Sequence, residues 1–97
     1  MTKDLTPRGA AVLDVVVRHF IATGQPAGSV TVAGLLAEKI SSATVRNVMA
    51  EFAKQGYLTQ PHTSAGRMPT ARGYVAYVKH LMRHGDLHRV DERRIRE

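Results

Sequence analysis

Ninety-seven residues with a formal net charge of +6 and no cysteine make one modest domain. It would bury roughly 60–65% of its unfolded surface and has no disulfide framework or Cys-based zinc site. The longest apolar runs fall far short of the about 20 residues of a membrane span, and no apolar block of the secretory kind follows the first residues, so a cytoplasmic protein is expected.

The charge is unevenly placed. Residues 39–83 carry Lys39, Arg46, Lys54, Arg67, Arg72, Lys79 and Arg83 against Glu51 alone, while the segments on either side balance to zero. A solvated basic face would produce some bias of this kind. Confinement to one stretch fits a polyanion partner better, because counterion release rewards clustered cations.

Thr6 and Pro7 open the first helix. Threonine caps with its hydroxyl, and proline suits the first position, where an N–H has no partner. Leu13, Val16, Val17, Phe20 and Ile21 recur at helical spacing as one apolar stripe, and Gly24 stops the helix. Val15, Val16 and Val17 each cost a few tenths of a kcal/mol of helix propensity, so tertiary packing has to hold the segment. His19 falls off the stripe and reads as a surface histidine.

Gln25-Pro26-Ala27-Gly28 is a turn by composition. Ser29 then caps a second helix over about 30–38, with Val32, Ala33 and Leu36 on its buried side. Gly34 within it costs up to about 1 kcal/mol relative to alanine; close packing against the next helix would be one reason for it.

Ile40 plugs the following turn and Ser41 caps a third helix over 42–55, ended by Gly56. Val45, Met49 and Phe52, at i, i+4 and i+7, form its buried stripe. Ser42, Ala43, Thr44, Arg46, Asn47 and Ala50 fall on other faces. Small residues permit close approach to a major groove, while arginine and asparagine bond base edges bidentately. The cap, core, close contact, plug, cap and core positions from Ser29 to Met49 follow a helix-turn-helix pattern, which helical hairpins without a nucleic-acid role also mimic.

Tyr57-Leu58-Thr59 reads as a short strand and Arg67-Met68 as its return, ended by Pro69. The turn between them, rich in hydroxyls, makes a small wing over residues 60–68. His62, Thr63, Ser64 and Arg67 there suit phosphate oxygens, and an arginine beside glycine fits a narrow minor groove. Thr70 caps a fourth helix over about 71–84, with Tyr74, Val75, Val78, Leu81 and Met82 as its apolar side and Tyr77 and Lys79 bordering it. His80, His84 and His88 stand four apart, a spacing metal ligands use on one helical face. Gly85 interrupts that face and no cysteine or acidic partner belongs to the motif, so solvent-facing histidines, and no cofactor or metal, are expected. Residues 86–97 are charged, with Leu87, Val90 and Ile95 as the only large apolar residues.

The fold expected is therefore mainly α with a small β-hairpin wing, a winged helix-turn-helix over residues 1–85, followed by a charged linker or tail over 86–97. Lys39, Lys54 and Arg72 add phosphate charge around Ser42, Thr44, Arg46 and Asn47. No paired carboxylates, nucleophile–base spacing or phosphate-cradling glycine loop points to an enzyme.

The segments Ser41-Ser42-Ala43-Thr44-Val45-Arg46-Asn47, Gly56-Tyr57-Leu58, the wing from Gln60 to Thr70, and Gly73-Tyr74 resemble the N-terminal winged helix of the heat-inducible transcription repressor family, HrcA. Leu5-Thr6-Pro7-Arg8 and Phe20 to Ser29 resemble that family's opening, so the similarity spans roughly residues 5–82. The resemblance implies a bacterial repressor that binds double-stranded DNA, an inverted-repeat operator upstream of chaperone genes, as a homodimer in its full-length context. It also implies release on heat stress and maintenance by a chaperonin. Further domains follow the winged helix in that family, so an excised DNA-binding domain is expected in preference to a short relative. The alternative is a winged helix that pairs with proteins and not with DNA.

Overall fold

The computed structural model describes residues 5–61 and 66–84. Helix α1, Pro7–Thr23, begins where the Thr6 hydroxyl accepts the Gly9 N–H at 2.9 Å. It ends at Gly24, whose φ of 71° turns the chain while its N–H reaches the Phe20 carbonyl at 2.7 Å. Val12, Leu13, Val16 and Val17 are completely buried and form the centre of the core. The expected stripe was shifted: Val12 belongs to it, Phe20 is half-buried, and Ile21 is 69% exposed. The cause is that α1 is the central post, in contact with α2, α3, α4 and the hairpin along its middle turns, while its last turn runs past the core. His19 is half-buried and not fully at the surface.

The second helix, α2, is Ser29–Leu35, shorter than expected. Ser29 is its first residue and not its cap. Gly28 caps it without a side-chain bond, its carbonyl taking the Val32 N–H at 3.0 Å. Leu36 leaves the helix in an extended conformation with its side chain still packed on the core, which stops α2 three residues before Glu38. Gly34 is exposed, and a methyl group there would meet nothing within 4 Å. Close packing is not the reason for this glycine.

Helix α3, Ser42–Lys54, follows the expectation closely. The Ser41 hydroxyl accepts the Thr44 N–H at 3.1 Å, and Val45, Met49 and Phe52 are the buried residues. Gly56, at φ 83°, donates to Ala53 at 3.1 Å, and Tyr57 donates to Phe52 at 2.9 Å. That pair of bonds is a Schellman closure, which satisfies carbonyls the helix end leaves open.

Strands β1, Leu58–Thr59, and β2, Met68–Pro69, pair antiparallel with Leu58 opposite Pro69 and Thr59 opposite Met68. Pro69 lies inside the return strand and does not merely end it, and Tyr57 stays outside. Arg67 is claimed by a different partner. Its N–H and carbonyl both bond to Ala27, each at 2.9 Å, so the stretch expected to be a plain turn supplies a third extended segment beside the hairpin. Gly66 makes this approach possible: any side chain there would come within 3.0 Å of the Pro26–Ala27 backbone.

Helix α4 is Ala71–His84. Thr70 staples its start to the α3–β1 turn, accepting from the Gly73 N–H at 3.0 Å and donating to the Gly56 carbonyl at 2.6 Å. Further along, the Tyr77 hydroxyl donates to Asp14 on α1 at 2.5 Å, and Asp14 also accepts from Arg18 Nε at 2.8 Å. Tyr74 and Tyr77 are the α4 residues packed on the core. The expected apolar side is only partly covered: Val75, Val78 and Met82 are exposed, Met82 by 65%. Tyr74 is thus the member of the expected side that packs on the core, joined by Tyr77, which was expected only to border it.

Candidate nucleic-acid interface

Successive residues of an α-helix lie about 100° apart around its axis. With Val45, Met49 and Phe52 buried, the opposite ridge of α3 carries Ala43, Asn47, Ala50 and Lys54. Arg46 stands on one flank of that ridge; Thr44 and Glu51 stand on the other. Ala43, Arg46, Asn47, Glu51 and Lys54 are exposed, and Ser42, Thr44 and Ala50 are half-buried. The two alanines keep the ridge low on either side of Asn47, so a flat surface can approach the asparagine amide and the arginine guanidinium together.

Ser41 does more than cap. Its oxygen accepts the Thr44 N–H, and the Ser41 and Thr44 hydroxyls are hydrogen-bonded to each other at 3.0 Å. Thr44 is thereby held against the first turn, with its hydroxyl engaged from one side.

The remaining expected contacts are spread around this helix. Lys39 is exposed in the turn before α3. Lys54, its last residue, lies about 18 Å along the axis from Ser42 at 1.5 Å per residue. Arg72 is exposed at the start of α4, and its guanidinium carbon lies 5.7 Å from the centre of the Tyr57 ring. Tyr57 in turn packs on Phe52 with ring centroids 5.9 Å apart. This stack of core aromatic, half-buried aromatic and cation fixes Arg72 beside the C-terminal end of α3, where a positive charge also complements the helix dipole. Arg72 therefore belongs with Lys54 at the far end of α3, away from Ser42 and Thr44. Arg67 is half-buried, its backbone held between Ala27 and the hairpin. His62, Thr63 and Ser64 lie outside the described residues, as do the charged segment 86–97 and His88.

Two contributors escaped the sequence reading as site residues. Glu51, the lone acid of the basic stretch, sits on the exposed side of α3. Tyr57 orients Arg72. No local pattern in the sequence pairs Tyr57 with Arg72, which stands on a different element.

Among the described residues no helix is long and apolar enough to cross a membrane, and no group of His, Asp and Glu stands ready to hold a metal ion.

A helical pair, a third helix beneath it and a hairpin tied in by one extended rung define a winged helix-turn-helix domain. Curated proteins named heat-inducible transcription repressor HrcA match it closely. That of Syntrophobacter fumaroxidans is 46% identical over 97% of this chain and 27% of its own length; that of Pelotomaculum thermopropionicum is 47% identical over 95% and 26%. The chain belongs to the heat-inducible transcription repressor family, HrcA. The Laribacter hongkongensis member is 44% identical over 96% of the chain and 26% of its own length. The chain thus spans about a quarter of the length of the curated relatives it matches. A crystal structure described as that of a hypothetical protein is 39% identical and superposes with a TM-score of 0.75 over 81% of this chain and 25% of that one. No family model matches the chain.

Proposed function

We propose that the chain is the DNA-binding part of a transcriptional repressor, with α3 lying in the major groove. One observation carries the reading: α3 buries Val45, Met49 and Phe52 and leaves Arg46 and Asn47 exposed beside small alanines. Arg46 and Asn47, with Thr44 and Ser42 beside them, meet base edges or adjacent phosphates. Arg67, with His62, Thr63 and Ser64 of the wing, holds the flanking backbone or minor groove. Lys39, Lys54 and Arg72 supply charge to phosphates further out.

The family's names support repression of transcription in response to heat. In this reading the target is an inverted-repeat operator of chaperone genes, taken by a homodimer in the full-length context, with a chaperonin as a further partner. Repression of this kind takes place in the cytoplasm, on the nucleoid. A single domain then meets one half-site and binds it weakly, because the gain from tethering two modules is lacking.

Val30 and Leu35 on α2 are exposed, Val30 by 72%. They favour a second reading, a winged helix that docks on a protein. Titrating the binding of labelled duplex DNA against salt separates the two. A steep loss of affinity with rising salt supports DNA recognition; no binding at low salt supports the protein partner. Selection of sites from random DNA with the purified chain then tests for a repeated half-site.

A further inference from the structure

Glu51 is out of place in α3. It stands in the last turn, where an acid opposes the helix dipole. It is exposed, it is the lone acid of residues 39–83, and its carboxylate has no hydrogen-bond or ion-pair partner among the described residues. The stability of the helix gives no reason for it, and residues that break a local rule without structural gain concentrate at functional sites. Its position joins it to the candidate interface. At about 100° and 1.5 Å per residue, four residues bring Glu51 to within about 40° of Asn47 and about 6 Å further along the axis. Asn47 and Glu51 are neighbours on one exposed ridge, closer in angle than Asn47 and Arg46, which stand about 100° apart.

Charge alone sets the sign of a contact made here. An ionised carboxylate only accepts hydrogen bonds, and phosphate oxygens repel it. In the major groove the donors are the exocyclic amines of cytosine and adenine, whereas guanine N7 and O6, adenine N7 and thymine O4 are acceptors. Adenine sets its N7 beside its amine; cytosine offers its amine with no acceptor next to it on that edge. We infer that Glu51 is a specificity-determining residue whose carboxylate accepts a hydrogen bond from a cytosine amine in the major groove. The inference rests on the DNA-binding reading above and names the base for one of its contacts. The same charge weakens binding to duplexes that present an acceptor at that point, so Glu51 selects by repulsion as well as by attraction.

The test selects sites from random DNA with the parent chain, Glu51→Ala and Glu51→Gln. Affinities for the recovered half-site are read by fluorescence anisotropy, and thermal melts confirm that each variant is folded. The parent is expected to require cytosine at one position. Replacing that cytosine by 2-pyrimidinone, which lacks the amine, should weaken its binding about 10- to 100-fold, the range for a hydrogen bond to a charged group. Glu51→Ala should accept any base at that position, be indifferent to 2-pyrimidinone, and keep the preferences found elsewhere in the half-site. Glu51→Gln, whose amide both donates and accepts, should admit guanine or thymine there.

Base preferences that are the same in Glu51→Ala and the parent overturn the inference and leave DNA binding standing, even if the variant binds every duplex more tightly; the carboxylate then acts only as a repelling charge. So does a parent that binds duplexes without selecting a half-site, or a Glu51-dependent position that calls for any base other than cytosine. A parent chain with no salt-dependent DNA binding brings down both the inference and the reading beneath it.

Discussion

Two glycine-to-alanine changes in this chain should move stability in opposite directions. A methyl group at position 73 would overlap the Tyr57 carbonyl oxygen and lie 3.1 Å from its carbon. That oxygen accepts the Thr70 N–H at 3.0 Å and the Thr70 hydroxyl at 3.2 Å, so it cannot withdraw without opening the staple at the start of α4. Relieving the overlap costs about 1–3 kcal/mol as overpacking, and each loosened hydrogen bond adds roughly 0.5–1.5 kcal/mol. Gly73→Ala is therefore expected to lose about 2–4 kcal/mol, a large part of the roughly 5–15 kcal/mol that holds a domain of this size. At about 4–8 °C per kcal/mol, the melting temperature falls by roughly 10–25 °C. Gly34→Ala, in open space on α2, should instead gain about 0.5–1 kcal/mol from restricting the unfolded chain and from better helix propensity. Thermal and urea melts of the two variants beside the parent measure both effects. A Gly73→Ala protein as stable as the parent, or a destabilised Gly34→Ala protein, would refute the packing argument.

Arg46→Ala should weaken binding to a selected half-site by about 1–3 kcal/mol and relax base preference there; uniform weakening on all sequences, with a shallower salt slope, would mark Arg46 as a phosphate contact. Glu51 is the lone acid on the exposed side of α3, so Glu51→Gln should tighten binding to unrelated duplexes about 2- to 5-fold at low salt, since one repulsion near the phosphates is removed; anisotropy with non-specific DNA shows whether it does. Tyr77 carries a phenol pushed up from its ordinary range, first by burial and then by its hydrogen bond to Asp14 and that carboxylate's charge. A group whose folded pKa is raised lends stability below the unfolded value of about 10 and withdraws it as pH climbs through the folded value. Tyr77→Phe should thus cost about 1 kcal/mol at neutral pH, and denaturant melts should show the gap to the parent closing above about pH 10; a gap independent of pH would contradict the assignment.

Sequence patterning was most informative where one residue type has one local job. Thr6, Ser41 and Thr70 each cap a helix as read, because a hydroxyl at the N-cap acts on the N–H three residues on. The α3 stripe was equally legible, since Val45, Met49 and Phe52 face one continuous core. What failed depended on distant neighbours. The contribution of Ala27 is a single rung, too short to leave a two-residue period, and it exists because Gly66 lets the wing close on it. The true bounds of α2 turned on Leu36 preferring an extended backbone with its side chain inward. On α4 Tyr74 packs on the core as its place in the apolar side implied, while Val75, Val78 and Met82 are exposed and Tyr77, read as bordering that side, packs inward. In the candidate interface, the openness of Arg46 and Asn47 followed from the stripe, whereas the stacking of Arg72 on Tyr57 needed two segments to meet.

The rung between Ala27 and Arg67 has a consequence for the target as well as for the protein. It ties the return strand of the wing to the turn that leads into α2, which packs on α3. Two rulers joined at a fixed pitch leave the adjustment to the nucleic acid. On the DNA-binding reading proposed above, duplexes whose groove pitch already agrees, or which twist at little elastic cost, should be preferred even at base pairs that no side chain reaches.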